Sequence, residues 1–112
     1  MTEHVKTYDE LEKMYMYSVE DLKAEDYGLP FFAANDDLAK RQLLYGMRNE
    51  QTPLNDFPDD FVLWQIGTWT SEDGGVWKGG PDGIKRVVCT ISTLVNQAAE
   101  SKVSQMVVGG MK

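Results

Sequence analysis

The chain has 112 residues, the length of one domain, and its 42% hydrophobic and 26% charged residues are the balance of an ordinary globular protein. Its 18 acidic and 11 basic residues give a formal net charge of −7, which argues against a nucleic-acid binder that depends on bulk neutralisation of phosphates. The single Cys excludes an intrachain disulfide, and the single His excludes a metal site built from several histidines.

The N-terminal residues include no apolar segment of the kind found in a secretory signal. No run approaches the roughly 18–20 apolar residues of a membrane span. Even the uncharged stretch 87–99 is interrupted by Thr, Ser, Asn and Gln. We therefore expect a cytoplasmic protein that is neither secreted nor membrane-bound, and a single cysteine is compatible with a reducing compartment.

Composition divides the chain into three parts. Residues 1–13 form a polar N-terminal arm, residues 14–101 a single domain, and residues 102–112 a flexible tail, because two adjacent glycines near the end disfavour a terminal helix. Within the arm, Thr7 and Glu10 have the spacing of a capping box, which indicates a short helix up to residue 13. An arm that becomes ordered only on binding is the alternative.

Four segments have the pattern of strands. In Met14–Val19 tyrosines alternate with methionine and serine, and a pleated strand sends such side chains to opposite faces. Phe61–Trp69 has no charge and is rich in aromatic and β-branched residues, which predicts a central strand covered on both faces. An Asp-Gly turn then favours a hairpin to a short strand at Val76–Lys78. The apolar residues of Ile84–Val95 have helical spacing, but their residue types favour a strand. We predict a strand at Arg86–Thr90 within this segment.

The clearest helix runs over Asn35–Asn49. Asn35 is a favourable N-cap, and the two aspartates after it stabilise the positive end of the helix dipole. A shorter helix is predicted from Ser92, as its N-cap, to about Ala99. Apolar residues at helical spacing should form the buried stripe of the first helix: Leu38, Ala39, Leu43, Leu44 and Met47.

Together these elements predict an α+β fold. We expect a small, mostly antiparallel sheet of about four strands, packed by one main helix and a short C-terminal helix. Because so small a sheet leaves an edge open to another strand, a homodimer is one expectation.

Residues that commonly perform catalysis are scarce or badly placed. His4 lies near the terminus, where no rigid element holds it. Cys89 lies in an apolar segment, and burial there would raise the pKa of its thiol. The glycines of residues 74–83 lack the spacing of a phosphate-binding loop and predict turns instead. We therefore expect no enzyme, no cofactor and no metal ion.

Two acidic clusters are the more informative feature. The first lies in the charged segment 20–26, which should be a solvated loop or one helical turn, and the second precedes Phe61. Such carboxylates could ligate Mg²⁺ or Ca²⁺, and a metal-dependent nuclease is the enzyme alternative, but the spacing matches no EF-hand loop. A solvated face is the usual role of a charge run, and docking on a basic protein partner is the functional one. The candidate partner-binding residues are Glu20, Asp21, Glu25, Asp26, Asp59 and Asp60.

A second candidate surface combines an aromatic residue with the small basic cluster of the chain. Aromatic side chains on a sheet can stack the bases of single-stranded DNA when Lys and Arg are interleaved with them. Core packing is the alternative role of the aromatic residues, because Phe61–Trp69 contains no basic residue. The candidate DNA contacts are Trp77, Lys78, Lys85 and Arg86.

Short motifs in a fixed order resemble those of one phage family. The motifs are Met16–Phe32 with its Lys-Ala-Glu and Pro-Phe elements, Asn35–Arg41 with an Asn-Asp pair opening a helix, and Asp60–Gly67 of the form D-[FY]-x-L-[FYW]-x-I-G. With the Asp-Gly hairpin, they resemble the small nonstructural protein (ORF5/VP5 type) of gokushovirus-like Microviridae phages. The resemblance covers about residues 14–95 and leaves the N-terminal arm unmatched.

The resemblance implies a nonenzymatic accessory protein in the host bacterial cytoplasm. Members of the family are compared with a phage protein that turns replication toward single-stranded DNA synthesis and genome packaging. This implies binding to the viral replication initiator, the procapsid, or both, and it assigns no catalytic residue. The alternatives are a protein that binds single-stranded DNA directly and a minor virion or scaffold-associated component.

Overall fold

The computed structural model describes residues 12–72, 74–79 and 83–110, and for Trp77 and residues 101–110 it describes the backbone alone. Within this part of the chain, no helix is long and apolar enough to cross a membrane. In chain order the elements are strands β1 (Lys13–Asp21), β2 (Asp26–Tyr27) and β3 (Phe31–Ala33), helices α1 (Asp36–Asn49) and α2 (Pro53–Asp56), a 3₁₀ turn (Pro58–Asp60), strands β4 (Phe61–Thr70), β5 (Val76–Lys78) and β6 (Arg86–Thr90), and helix α3 (Ile91–Gly110).

The six strands form one sheet with antiparallel pairing. Strands β1 and β4 lie at its centre. Strands β2 and β3 lie end to end along the outer side of β1, and β5 and β6 lie end to end along the outer side of β4. The sheet is thus four strands wide, with each edge divided into two pieces. The predicted α+β class is confirmed, although the sequence patterns had not indicated β2 and β3.

The first edge is interrupted at Gly28-Leu29-Pro30. The Gly28 N–H still donates to the carbonyl of Val19 at 2.9 Å, and the Ser18 hydroxyl donates to the Gly28 carbonyl at 2.8 Å. Pro30 has no N–H to donate to the ladder, and Leu29 is 93% exposed. The segment therefore leaves β1 briefly before β3 resumes the pairing.

The second edge is interrupted by the loop 79–85. The Gly79 N–H donates to the carbonyl of Ile66 at 2.6 Å, and the Gly79 carbonyl accepts from the Thr68 hydroxyl at 3.0 Å. The φ of Gly79 is +77°, and a Cβ at this position would lie 2.5 Å from the carbonyl carbon of Gly83. Glycine is required here because the backbone of Gly83 leaves no space for a Cβ and because the φ is positive.

A β-bulge in β4 decides which of its residues are buried. Gln65 pairs with Tyr17 and Gly67 with Met16, so Ile66 has no partner in β1. The residues between the buried positions are half-buried, so the second face of β4 is less covered than we predicted. The buried positions alternate as Phe61, Leu63 and Gln65 before the bulge and as Thr68 and Thr70 after it.

Helices α1 and α3 pack on the face of the sheet that carries Tyr17 and Leu63. Ala39 of α1 and Ile91 of α3 are fully buried against these strand residues. Leu43, Leu44 and Met47 of the predicted stripe are partly buried against the same core. The core cluster consists of Tyr17, Ala33, Ala39, Phe61, Leu63, Ile91 and Leu94.

Leu38 departs from the predicted stripe, because it is 41% exposed. It lines a groove between α1 and strand β3 together with Arg41 and Tyr45. These residues follow Leu38 at i+3 and i+7, so they occupy the same side of the helix, away from Ala39. The predicted burial of Leu38 is therefore wrong.

Both long helices begin at a side-chain cap. Oδ1 of Asn35 accepts the N–H of Leu38 at 2.9 Å, which confirms the predicted N-cap of α1. At α3 the cap is Thr90, whose hydroxyl accepts the N–H of Thr93 at 3.1 Å. The prediction of Ser92 as the cap is wrong, because Ser92 already lies in the first turn.

Helix α3 is longer than the sequence led us to expect. It ends at Gly110 and not near Ala99. The two glycines that were expected to prevent a terminal helix are its last two residues. A glycine weakens a helix less at its end than in its interior, because the end carries fewer backbone hydrogen bonds.

Strand β1 is longer than predicted at both ends. The short helix indicated in the N-terminal arm lies outside the described residues apart from its last two positions, and Lys13 among these is the first residue of β1. Strand β1 continues beyond Val19 to Asp21. Only residues 22–25 form the expected charged turn.

Candidate functional site

The two acidic clusters meet at one end of the sheet. Asp21, the last residue of β1, is paired with Asp26 on one side and with Phe61 on the other. The backbone N–H of Leu22 donates to the carbonyl of Asp60 at 2.9 Å. We call this region the acidic end and define it as Glu20, Asp21, Glu25, Asp26, Asp59 and Asp60.

The carboxylates of the acidic end have unequal surroundings. Oδ1 of Asp21 accepts the backbone N–H groups of Lys23 at 3.0 Å and Ala24 at 3.1 Å, so this side chain stabilises the turn. Glu25 follows with a φ of +58°, which directs the chain back into β2. Glu25, Asp26 and Asp59 are exposed, and they are the residues best placed to attract a cationic surface.

The carboxylates of the acidic end are spaced too widely to form a cation site within the described residues. Among the described residues, no three Asp, Glu, His or Cys side chains converge closely enough to hold a metal ion. The exposed carboxylates form a spread of negative charge, whose field in solution extends over about a Debye length, roughly 8–10 Å at physiological ionic strength.

The candidate DNA contacts are not gathered on one surface. Arg86 pairs with Gln65 on the face that carries α1, whereas Lys85 lies over the ring of Trp64 on the opposite face. Lys78 is exposed on β5 opposite Gly67. The side chain of Trp77, the fourth candidate, lies outside the described part of the structure. These four residues stay predicted DNA contacts. Lys85 and Arg86 lie on opposite faces of the sheet, because successive residues of an extended chain point in opposite directions.

Arg86 belongs to a polar network that ties β6 to β1 and α1. Its Nη2 lies 2.9 Å from Oδ1 of Asp36 and 2.6 Å from Oε1 of Gln65. The same Asp36 oxygen accepts the hydroxyl of Tyr17 at 2.8 Å. The network borders an open cleft of about 520 Å³ whose lining also includes Tyr15.

The network shifts the proton affinity of its members. Burial raises the pKa of Tyr17, and the hydrogen bond to the Asp36 carboxylate raises it further. Burial by itself would raise the pKa of Asp36, but the hydrogen bonds from Arg86 and Tyr17 outweigh it and hold that pKa below its ordinary value. The hydrogen bond to Asp36 raises the pKa of Arg86, so the ion pair persists at any physiological pH.

An aromatic cluster that the sequence did not predict lies on the face of the sheet opposite to α1. The Lys85 Nζ lies 4.3 Å from the centre of the Trp64 ring and 4.8 Å from that of Tyr27, and it donates a hydrogen bond to the Tyr27 hydroxyl. The Trp64 indole N–H donates to Oε1 of Glu20 at 2.8 Å. We call Glu20, Tyr27 and Trp64 the aromatic cage. These residues lie in β1, β2 and β4, respectively. The strand register that brings them together cannot be predicted from any local sequence pattern.

The only cysteine of the chain is half-buried in β6. Burial raises the pKa of the Cys89 thiol, in the direction expected from the apolar segment around it. At neutral pH the group is therefore mainly protonated, which is the less reactive form.

The family comparison covers most of this architecture. A family model described as Phage ORF5 protein matches residues 14–94. The chain belongs to the Phage ORF5 protein family. The match extends from the second residue of β1 into the first turn of α3, so it includes every strand, the acidic end and the aromatic cage. The predicted resemblance is confirmed at the level of the family, and a bacteriophage origin follows from it.

Comparisons with curated proteins and with solved structures find no match.

Proposed function

We propose that this Phage ORF5 protein is a nonenzymatic accessory protein that acts in viral single-stranded DNA synthesis and genome packaging. It acts by binding a basic surface of the replication initiator, of the procapsid, or of both, in the cytoplasm of the host bacterium. The acidic end is the docking surface. The family membership supports the phage context, and the distribution of charge supports the mode of binding.

The observation that carries the proposal is the meeting of two acidic segments that lie far apart in sequence. The pairing of Asp21 with Asp26, together with the backbone bond from Leu22 to Asp60, places both segments at one end of the sheet. Carboxylates from 20–26 and from 59–60 thereby act on one partner surface. Complementary charge of this kind accelerates encounter and orients the partner more than it adds affinity.

The proposal contains no catalytic step. The only histidine is His4 in the N-terminal arm, and the only cysteine is Cys89, whose pKa is raised by burial. A cysteine nucleophile requires a lowered pKa and a base beside it. Binding without turnover is therefore the simpler account of the residues present.

Charge neutralisation at the acidic end tests the proposal. Asp26→Asn combined with Asp59→Asn removes two exposed charges without touching the turn that Asp21 stabilises. The double variant should coprecipitate less replication initiator and procapsid from infected cells, and it should lower the yield of single-stranded genomes. The binding of the wild-type protein should weaken as salt is raised.

The matched control neutralises two exposed acids at the opposite end of the same strands. Glu12 and Glu72 lie there, next to the bond from the Ser71 N–H to the Glu12 carbonyl. Glu12→Gln combined with Glu72→Gln has the same net charge as the test variant and should bind as the wild type does. Equal loss in both variants, or normal genome yield after deletion of the gene, would contradict the proposal.

Direct binding of single-stranded DNA is the second candidate. The observation that favours it is the exposure of Lys78 and Lys85 at the β5–β6 edge. Phosphate contacts by these lysines require an affinity for oligothymidylate that falls as salt rises. An affinity that does not change with salt would exclude them.

A further inference from the structure

The aromatic cage is built to hold an ammonium group. Two aromatic rings, Tyr27 and Trp64, face the Lys85 Nζ at distances of 4.8 and 4.3 Å, within the range at which a ring quadrupole attracts a cation. The Trp64 ring is fixed by the bond from its indole N–H to Glu20 at 2.8 Å. The Glu20 carboxylate also places a negative charge beside the rings. Rings plus a carboxylate are the chemistry that recognises alkylammonium groups.

The present occupant of the cage is easily displaced. Lys85 lies in the loop before β6, so its side chain can leave without breaking a backbone pair of the sheet. Both Lys85 and Arg86 are exposed, but Arg86 is held by Asp36 and Gln65. When Lys85 moves away, the bond between the Trp64 indole N–H and Glu20 remains, and Tyr27 gives up the hydrogen bond that its hydroxyl accepts from Lys85.

The surroundings of the cage select a positively charged partner segment. Glu20 is itself one of the carboxylates of the acidic end, and these carboxylates lie around the same end of the sheet, so the cage adjoins the acidic end. A lysine seated between the rings would have its basic neighbours beside these carboxylates. A strand of nucleic acid would instead place its phosphates against them, which is unfavourable.

We propose that the aromatic cage binds a lysine side chain of a basic partner segment, in exchange for Lys85, which occupies the cage when no partner is bound. That the partner is a basic protein surface rests on the proposed function. It adds the residue type that is recognised and the site that receives it. Lys85 acts as a tethered competitor, so its removal raises the affinity for an external lysine.

The test uses the purified full-length chain and a short probe. Pentalysine is titrated while the indole N–H resonance of Trp64 is followed by ¹⁵N NMR, with penta-Nε-acetyl-lysine as the uncharged probe. Lys85→Met removes the ammonium group from the cage. Lys78→Met is the matched control, because it removes an exposed lysine of the same edge and leaves the same net charge.

The Lys85→Met protein should bind pentalysine about tenfold more tightly than the Lys78→Met protein, with a larger shift of the Trp64 resonance. The acetylated peptide should leave that resonance unmoved. Adding Tyr27→Leu to Lys85→Met should abolish the gain, and since Tyr27 lies at the exposed edge of the sheet, this variant should still fold. An unfolded double variant would be replaced by Lys85→Met with Glu20→Gln, which keeps an acceptor for the indole N–H.

Three results would overturn the inference. Equal affinity of the Lys85→Met and Lys78→Met proteins would mean that the acidic end attracts pentalysine without the cage. A Trp64 resonance that shifts with oligothymidylate but not with pentalysine would make nucleic acid the occupant. A shift that depends only on protein concentration would make a second copy the occupant.

The inference and the proposed function fail in different experiments. The cage is tested with purified protein and pentalysine, without any phage partner. The docking role of the acidic end is tested by coprecipitation from infected cells with Asp26→Asn and Asp59→Asn. If Lys85→Met binds pentalysine more tightly while the acidic-end variant coprecipitates its partners as the wild type does, the cage is supported and the proposed function is contradicted.

Discussion

The hydroxyl of Tyr17 donates a hydrogen bond to Oδ1 of Asp36 at 2.8 Å, and Nη2 of Arg86 lies 2.9 Å from the same oxygen. One carboxylate oxygen thus joins β1, the first residue of α1 and the first residue of β6. The contact fixes the N-terminus of the main helix against the sheet. Because Tyr17 is fully buried, its hydroxyl has no water to bond if this partner is lost.

Tyr17→Phe removes the hydroxyl and keeps the buried ring, which stacks with Phe31 at 5.8 Å between centroids. Hydrogen bonds to charged groups contribute about 1.5–3 kcal/mol, so we expect the free energy of unfolding to fall by about that amount. Urea titration followed by circular dichroism measures it. Tyr45→Phe is the control, because Tyr45 is 71% exposed and should change stability by less than about 0.5 kcal/mol. Equal effects of the two variants would contradict the assignment.

The lowered pKa of Asp36 predicts a loss of stability in acid. Because the pKa of the folded state lies below the ordinary value of 3.8, the carboxylate stabilises the fold above that value, and this contribution is lost as the pH falls through the lowered pKa. Asp36→Asn retains an acceptor but has no charge to lose. The wild type should be more stable than this variant by about 1 kcal/mol near pH 7, and the difference should close as the pH falls below 3.8 and through the lowered pKa of Asp36.

Unfolding by urea at a series of pH values checks the prediction for Asp36. The comparison between wild type and variant cancels the titration of the other carboxyl groups. A difference in unfolding free energy that is the same in acid and at neutral pH would show that the charge of Asp36 does not contribute.

The loop 79–85 should tolerate no side chain at its first residue. At Gly79 a Cβ meets the backbone of Gly83 at 2.5 Å and the φ is +77°, so Gly79→Ala combines strain with a clash. At Gly74 the φ is +68° but the space is open, so Gly74→Ala isolates the strain, which costs about 1–2 kcal/mol. We expect Gly79→Ala to lower the melting temperature clearly more than Gly74→Ala. Equal shifts would contradict the close approach.

The thiol of Cys89 should react slowly, because burial raises its pKa. Alkylation by iodoacetamide should be slower in the folded protein than in urea, since the thiolate is the reactive form. The pH dependence of the rate separates this cause from simple shielding. A raised pKa moves the inflection of the folded protein to higher pH, whereas shielding lowers the rate at every pH and leaves the inflection in place.

Local patterns were sufficient where each residue contributes to its own element. The N-cap Asn35, the strand Arg86–Thr90 and the central strand beginning at Phe61 all have short-range causes, and all three are confirmed. One error comes from tertiary packing, and the other comes from a strand that runs directly into a helix. Leu38 is exposed because of where α1 meets the sheet, and Thr90 caps α3 because β6 leads directly into the helix.

The candidate sites divide in the same way. The residue types of the acidic end were evident from composition, but its unity depends on the pairing of Asp21 with Asp26 and on the bond from Leu22 to Asp60. The basic cluster looked continuous in sequence, yet Lys85 and Arg86 lie on opposite faces because successive residues of an extended chain point in opposite directions.

The sequence by itself determined the fold class, the main helix and the excess of negative charge, because propensity, capping and composition act within a few residues. Only the tertiary structure decided the bulge at Ile66, the two divided edges and the cage of Glu20, Tyr27 and Trp64. These features depend on the register between strands. Register is set by how the whole sheet packs against α1 and α3, and a shift of one residue would turn every side chain of a strand to the other face.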